Sequence, residues 1–177
     1  LEAKGIHAEV RPSFLGDPNE FPVSFKPNGH PHVWFSMHPG AEELYNLPLL
    51  ERVAARVPHI TFHVFGGVDA AYPKQDLPNI IYHGLVSEEV FNTEIQKCQG
   101  SLRLNSVDGV SEVMLKSLWM GQYPITKIFY DDVWWGYDEW TIIQHLEDLS
   151  EMHEPNLIGR ERWLRRINNL PWVPKHD

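Results

Sequence analysis

Two short stretches carry residue types that could bind a phosphorylated ligand. The first is Gly84-Leu85-Val86, at the end of the apolar run NIIYHGLV. The second is Asp108-Gly109-Val110-Ser111, which opens the apolar helical pattern VSEVMLKSLWMG and is followed by Gly121 at the position of a C-cap. The start of such a helix offers backbone N–H groups that have no partner within the helix, together with the positive end of the helix dipole. Both favour a phosphate or diphosphate. Arg103, Lys116 and Lys127 are the candidate cations for the ligand charge. His38 and Gly40, in the string MHPG, end an earlier apolar run and join the candidate set. Ser87 and Ser111 stand where an N-cap is expected.

The elements that must position these residues alternate. The runs VWFSM at 33–37, ITFHVFG at 60–66, NIIYHGLV, SLRLN and PITKIFY read as buried strands. Helices are expected around 41–57, from Ser87 to Cys98, and from about Ser111 to Met120. Such alternation predicts an α/β fold, a Rossmann-like parallel sheet with helices on both faces. Ligands on these sheets bind at the carboxyl ends of strands, which is where the candidate residues lie. Residues 1–31 read as the end of a preceding domain, with a short strand around Ala8 to Pro12, running into an interdomain linker rich in proline and glycine. Residues 32–150 form the Rossmann-like domain, and 151–177 a C-terminal helix and tail. The chain starts at Leu1 and reads as a fragment of something longer.

Composition narrows the function classes. A length of 177 residues fits one domain with a linker, and a formal net charge of −9 disfavours sequence-independent binding along nucleic acid. No run approaches the roughly 20 apolar residues of a membrane span, and no signal peptide is legible, so the expected location is cytoplasmic. Cys98 is the single cysteine, which excludes an internal disulfide, and its place in an apolar pattern makes it a small core residue. His30, His32, His38, His59, His63 and His83 fall on separate strands and loops without zinc-like spacing, so no metal site is expected. There is neither a G-x-G-x-x-G nor a G-x-x-x-x-G-K string, which leaves a P-loop unsupported. Trp134, Trp135, Tyr137 and Trp140 could stack on sugars or bases, but read first as core or interface anchors. The basic, amphipathic run from Arg160 to Lys175 allows peripheral membrane contact or a helix that crosses to another domain.

The order of these elements, with Gly84, Asp108-Gly109 and Gly121 at their places, resembles the C-terminal donor-binding domain of a retaining GT-B glycosyltransferase of the group 1 type. The resemblance covers about Gly5 to Leu149. It implies a Rossmann-like half-enzyme that binds a nucleotide sugar, needs no cofactor beyond that donor, and works against a missing N-terminal GT-B domain to transfer a sugar to an acceptor hydroxyl. The isolated chain is then expected to be inactive. Two glutamates separated by seven residues mark the family, and aligned on Gly121 their positions hold Asp108 and Lys116. Asp108 keeps a carboxylate for sugar hydroxyls, whereas Lys116 offers no acceptor to a ribose diol. Four residues after Glu112, Lys116 also reads as an ion-paired surface lysine. The family's cations after the first strand are missing as well, since HPGAEELYN brings Glu42 and Glu43 there. On the resemblance, Gly84, Leu85 and Val86 face the base, while Asp108, Gly109, Val110 and Ser111 face the sugar and diphosphate. The alternatives are a non-catalytic GT-B-like interaction module that has lost donor chemistry, and an unrelated doubly wound domain such as a sugar-nucleotide epimerase half.

Overall fold

A computed structural model describes residues 18–168. The expected strand around Ala8 to Pro12 and the tail after Asn168 lie outside these residues. Six parallel strands form one sheet: β1 (His32–Ser36), β2 (Thr61–Phe65), β3 (Ile80–Gly84), β4 (Gly100–Arg103), β5 (Tyr123–Thr126) and β6 (Trp134–Trp135), in the order 3-2-1-4-5-6. Each successive strand is joined to the next by a crossover, and the strand order reverses between β1 and β4. That reversal opens a crevice at the carboxyl ends of these two strands.

Alternation along β1 divides the core into two layers. Val33 and Phe35 point to one face, where they meet Phe62 and Val64 of β2, Leu102 of β4, and the helices α2 (Leu47–Arg56) and α5 (Glu139–Ser150). On α2 the buried residues Leu47, Leu50, Val53, Ala54 and Val57 recur at helical spacing, which gives this helix its single buried stripe. Trp34 points to the other face, toward Phe65, α4 (Glu112–Trp119) and α6 (Leu157–Asn168). The short helix α3 (Glu88–Ile95) packs Ile95 and Phe91 on that side too.

Several boundaries differ from the sequence reading. The helix expected over 41–57 is two, α1 (Glu42–Tyr45) and α2, because Asn46 takes a left-handed conformation with φ 61° and Pro48 cannot donate a helical N–H. The strand expected over PITKIFY ends at Thr126. Trp134 and Trp135, assigned no strand from sequence, pair with Ile125 and Thr126 as the edge strand β6. Part of the expected linker is fastened to the domain: Ser24 and Phe25 donate backbone N–H groups to the Met120 carbonyl, and Phe21 and Phe25 are buried against Trp119 and Tyr123. α6 buries Trp163 and Ile167 beside α4 of this same domain, and Arg162 and Arg166 bond Asp132 and Asp131. Trp163 and Ile167 thus face this domain, while Leu157 and Ile158 at the start of α6 are exposed. No helix among the described residues is long and apolar enough to cross a membrane.

Candidate functional site

A cavity of about 540 Å³ opens at the crevice between the carboxyl ends of β1 and β4, within the usual size of small-molecule sites. Its floor is aromatic, made by Trp34, Phe65 and Phe91. Trp34 is held from beneath: its Nε1–H donates to Gln122 Oε1 at 2.8 Å, and Gln122 Nε2 donates to the Ile95 carbonyl at 2.7 Å. Gln122 also accepts from Ser117 Oγ, so a fully buried amide ties the floor to α3, α4 and the start of β5.

One wall follows β3. Gly84 has φ 68° and nothing within 4 Å of the position a Cβ would take, so its open side is backbone, and exposed Leu85 and Val86 continue the rim. Gly66, at the end of β2, is required by packing: a Cβ there would lie 2.1 Å from the Met37 carbonyl oxygen. Its N–H donates to the Gly84 carbonyl at 2.9 Å, and Met37 N–H donates to the Phe65 carbonyl at 3.1 Å, which joins the three loops into one floor edge.

The opposite wall is the opening of α4. Ser111 is buried and caps it, its Oγ accepting from Met114 N–H at 3.3 Å. Asp108 accepts from Arg103 Nε at 2.6 Å through one oxygen and from Gly109 N–H at 3.0 Å through the other. The Arg103 guanidinium lies 4.8 Å above the centre of the Tyr45 ring. Tyr130 donates its hydroxyl proton to the Gly109 carbonyl.

Lys116 departs from the surface lysine expected of it. The ion pair with Glu112 is present, at 2.7 Å, but the lysine side chain is only 9 % exposed while that of Glu112 is 52 % exposed. The ammonium sits 5.3 Å from the Phe91 ring centre and 5.4 Å from that of Phe21, both outside α4, and together they enclose it. A helix ion pair reads the same in sequence whether it faces water or protein, which is why the burial was not legible.

Of the residues singled out from sequence, His38, Gly84, Leu85, Val86, Arg103, Asp108, Val110 and Lys116 line this one cavity. Gly40, Gly109 and Ser111 do not: Gly40 N–H donates to the Gly67 carbonyl in an exposed turn, and the other two shape the α4 opening behind its lining. Sequence reasoning missed Tyr45, Glu88, Phe91 and Glu112. Glu88 and Phe91 begin the helix after Gly84, and proximity to that turn was the available signal.

The histidines expected to be dispersed are not all so. His32, His63 and His83 stand side by side on β1, β2 and β3, with His32 Nδ1 2.8 Å from His63 Nε2, and His63 Nδ1 2.9 Å from His83 Nε2. Parallel register places them on one face. His83 stacks at 4.4 Å on Phe65 of the cavity floor. Burial, and then the proximity of His32 and His83, pulls the His63 imidazole down to about 4. Among the described residues no cluster of three or more histidine, cysteine, aspartate or glutamate side chains is placed to hold a metal ion. Cys98 is buried, and burial pushes its thiol well above the ordinary range.

No protein-family model matches the sequence, and no curated protein matches it. Solved structures do. The C-terminal domain of a glycosyl transferase group 1 family protein, LpcC, from Francisella tularensis superposes with a TM-score of 0.63 at 11 % identity, over 86 % of this chain and 98 % of that one. This chain has the fold of a GT-B C-terminal domain. TarM from S. aureus, solved with Fondaparinux, alpha-GlcNAc-glycerol and UDP, gives a TM-score of 0.62 at 11 % identity over 80 % of this chain. The catalytic domain of cholesterol-alpha-glucosyltransferase from Helicobacter pylori gives 0.56 at 12 % identity, over 78 % of this chain and 94 % of that one. The GT-B-like domain described here spans all but a few residues of the LpcC domain, but only 33 % of TarM.

Proposed function

We propose that this chain is the nucleotide-sugar-binding domain of a glycosyltransferase, which transfers a sugar from a nucleotide-diphosphate donor to an acceptor hydroxyl, and that the cavity between β1 and β4 is its donor site. The observation that carries this reading is the convergence, at the strand-order reversal, of an aromatic floor, an open glycine turn and a helix opening beside two cations. The similar proteins support it, since LpcC is a glycosyl transferase group 1 family protein, the Helicobacter pylori domain is a glucosyltransferase, and TarM was solved with UDP. In this reading Gly84 to Val86 lie along the base, Arg103 and Lys116 neutralise the diphosphate, and Asp108 accepts from sugar hydroxyls. Exposed Leu85 and Val107 suit contact with a facing domain, and the acceptor binds there.

Catalysis requires donor and acceptor to be oriented together, so this domain supplies donor binding and the partner domain completes the reaction. Calorimetric titration of the full chain with common ribonucleoside diphosphates and their sugar conjugates tests the reading. Saturable binding selective for one base is expected, and silence across the panel overturns it. One observation favours the second reading, an interaction module without donor chemistry: three carboxylates, of Glu88, Asp108 and Glu112, line the cavity against two permanent cations. That module binds none of the panel.

A further inference from the structure

The two ion pairs at the α4 opening differ in a way that identifies which one a ligand can open. In the Arg103–Asp108 pair both side chains are largely buried, at 17 % and 18 % exposed, and Asp108 holds a second bond to Gly109 N–H. Neither partner can leave without stranding a charge or a backbone donor. In the Lys116–Glu112 pair the cation is fixed and the anion is not. Lys116 is enclosed by Phe21 and Phe91, whereas Glu112 is half exposed, on the first turn of α4. An incoming anion that meets the Lys116 ammonium can replace the glutamate oxygen, and the glutamate is re-solvated by a small rotation into water. Both residues line the cavity, so the exchange occurs within it.

We infer that Glu112 is a built-in counterion which the phosphate of a diphosphate ligand must displace from Lys116, and that it thereby sets the affinity of the site for such ligands. The inference rests on the donor-site reading and adds to it a specificity-determining residue. Glu112 acts through Lys116, so it is a positioning residue. With the counterion in place, weak anions are excluded from a site whose carboxylates outnumber its cations. A diphosphate has the charge density to compete. A neutral ligand or a carboxylate gains nothing from the exchange.

The test is calorimetry on the full chain with inorganic pyrophosphate and with the common ribonucleoside diphosphates, for the wild type, Glu112→Gln, Glu88→Gln, Lys116→Met, and Glu112→Gln combined with Lys116→Met. Thermal melting establishes that each variant is folded. Glu112→Gln keeps the side-chain shape and removes the competing charge, so diphosphate affinity should rise about fivefold, the effect of an ion pair of about 1 kcal/mol. Glu88→Gln removes an equal charge from the other wall and should change affinity less. In the Lys116→Met background the Glu112→Gln gain should vanish, which separates exchange at Lys116 from a general change in potential. Should either Lys116→Met variant fail to fold, the comparison of Glu112→Gln with Glu88→Gln decides. Wild-type binding with equal or weaker binding by Glu112→Gln overturns the counterion role and leaves the donor-site reading standing. An equal gain from Glu88→Gln overturns it likewise. Silence from every protein overturns both.

Discussion

The two faces of the sheet are built on different chemistry. Beneath α2 and α5 the layer is chiefly aliphatic: Leu47, Leu50, Val53 and Val57 meet Val33, Val64 and Leu102. Buried Glu51 is answered by the hydroxyls of Tyr72 and Tyr82 and by Gln75 N–H. Beneath α3 and α4 the layer contains Trp34, Phe65 and Trp119, and among them the buried polar groups His63, Ser117, Lys116 and Gln122. Burial of apolar area dominates the first face, with Glu51 and Asn79 as polar ties between its loops and α2. In the second, each of several polar groups constrains an aromatic neighbour, and the cavity lies at that layer's edge. On the donor-site reading, ligand binding should therefore depend on the second layer more than on the first, while both carry stability.

The division is open to attack in order of expected effect. Leu50→Ala, in the aliphatic layer, should lower unfolding free energy by about 3 kcal/mol in urea titration, yet leave ligand affinity of the folded protein unchanged. A parallel loss of affinity would show that the layers are not independent. Acid should act on the other layer. The folded His63 titrates at about 4, below the ordinary 6.5, so between these values the unfolded chain binds more protons and stability falls as pH falls. The loss is about 2–3 kcal/mol between roughly pH 6.5 and 4, and His63→Phe should flatten it in urea titrations at several pH values. An unchanged slope in that variant would move the acid sensitivity elsewhere.

Gln122→Leu should lower stability by about 2 kcal/mol by leaving the Trp34 N–H and the Ile95 carbonyl without their partner. Unlike Leu50→Ala, it should also weaken ligand binding, because Trp34 forms the floor; unaltered affinity would mean that the floor needs no such anchor. Ser111→Ala should cost about 1 kcal/mol through loss of the α4 cap. The smallest effect belongs to the aliphatic side's surface: Arg52→Ala removes an exposed pair with Glu139 and should change the unfolding free energy by less than about 0.5 kcal/mol.

What sequence made legible follows from periodicity. Apolar runs alternating with helical patterns specify a parallel sheet, and strand ends then converge, so the sequence alone sets Gly84, Arg103 and Asp108 at one mouth. Residues that return over the mouth from a helix distant in sequence, such as Tyr45, were not legible, because sequence spacing does not say which way a helix lies across a sheet. The side-by-side histidines were hidden for a related reason. They are separated by 31 and 20 residues and meet only through strand register. The β6 strand has two residues, too few for any pattern. Gly66 closes the run ITFHVFG, and the contact with the Met37 carbonyl that demands a glycine there arises only in the fold.

The row of three imidazoles has a polarity. When all three rings are neutral, each hydrogen bond in the row has one N–H and one lone pair, so the tautomer of one ring dictates the next. If His32 donates from Nδ1, His63 must also donate from Nδ1, and His83 carries its own proton on Nδ1. If His83 donates from Nε2 instead, every proton is on the other nitrogen. The row is thus a small electric dipole laid across three strands, with two opposed orientations and one end adjoining Gly84. Negative charge bound beside that glycine favours the orientation whose N–H groups point toward it. The imidazole nitrogen chemical shifts of His32, His63 and His83, measured with and without a bound anion, should then exchange their pattern together, and independent changes in the three rings would show that the row does not reverse as a unit.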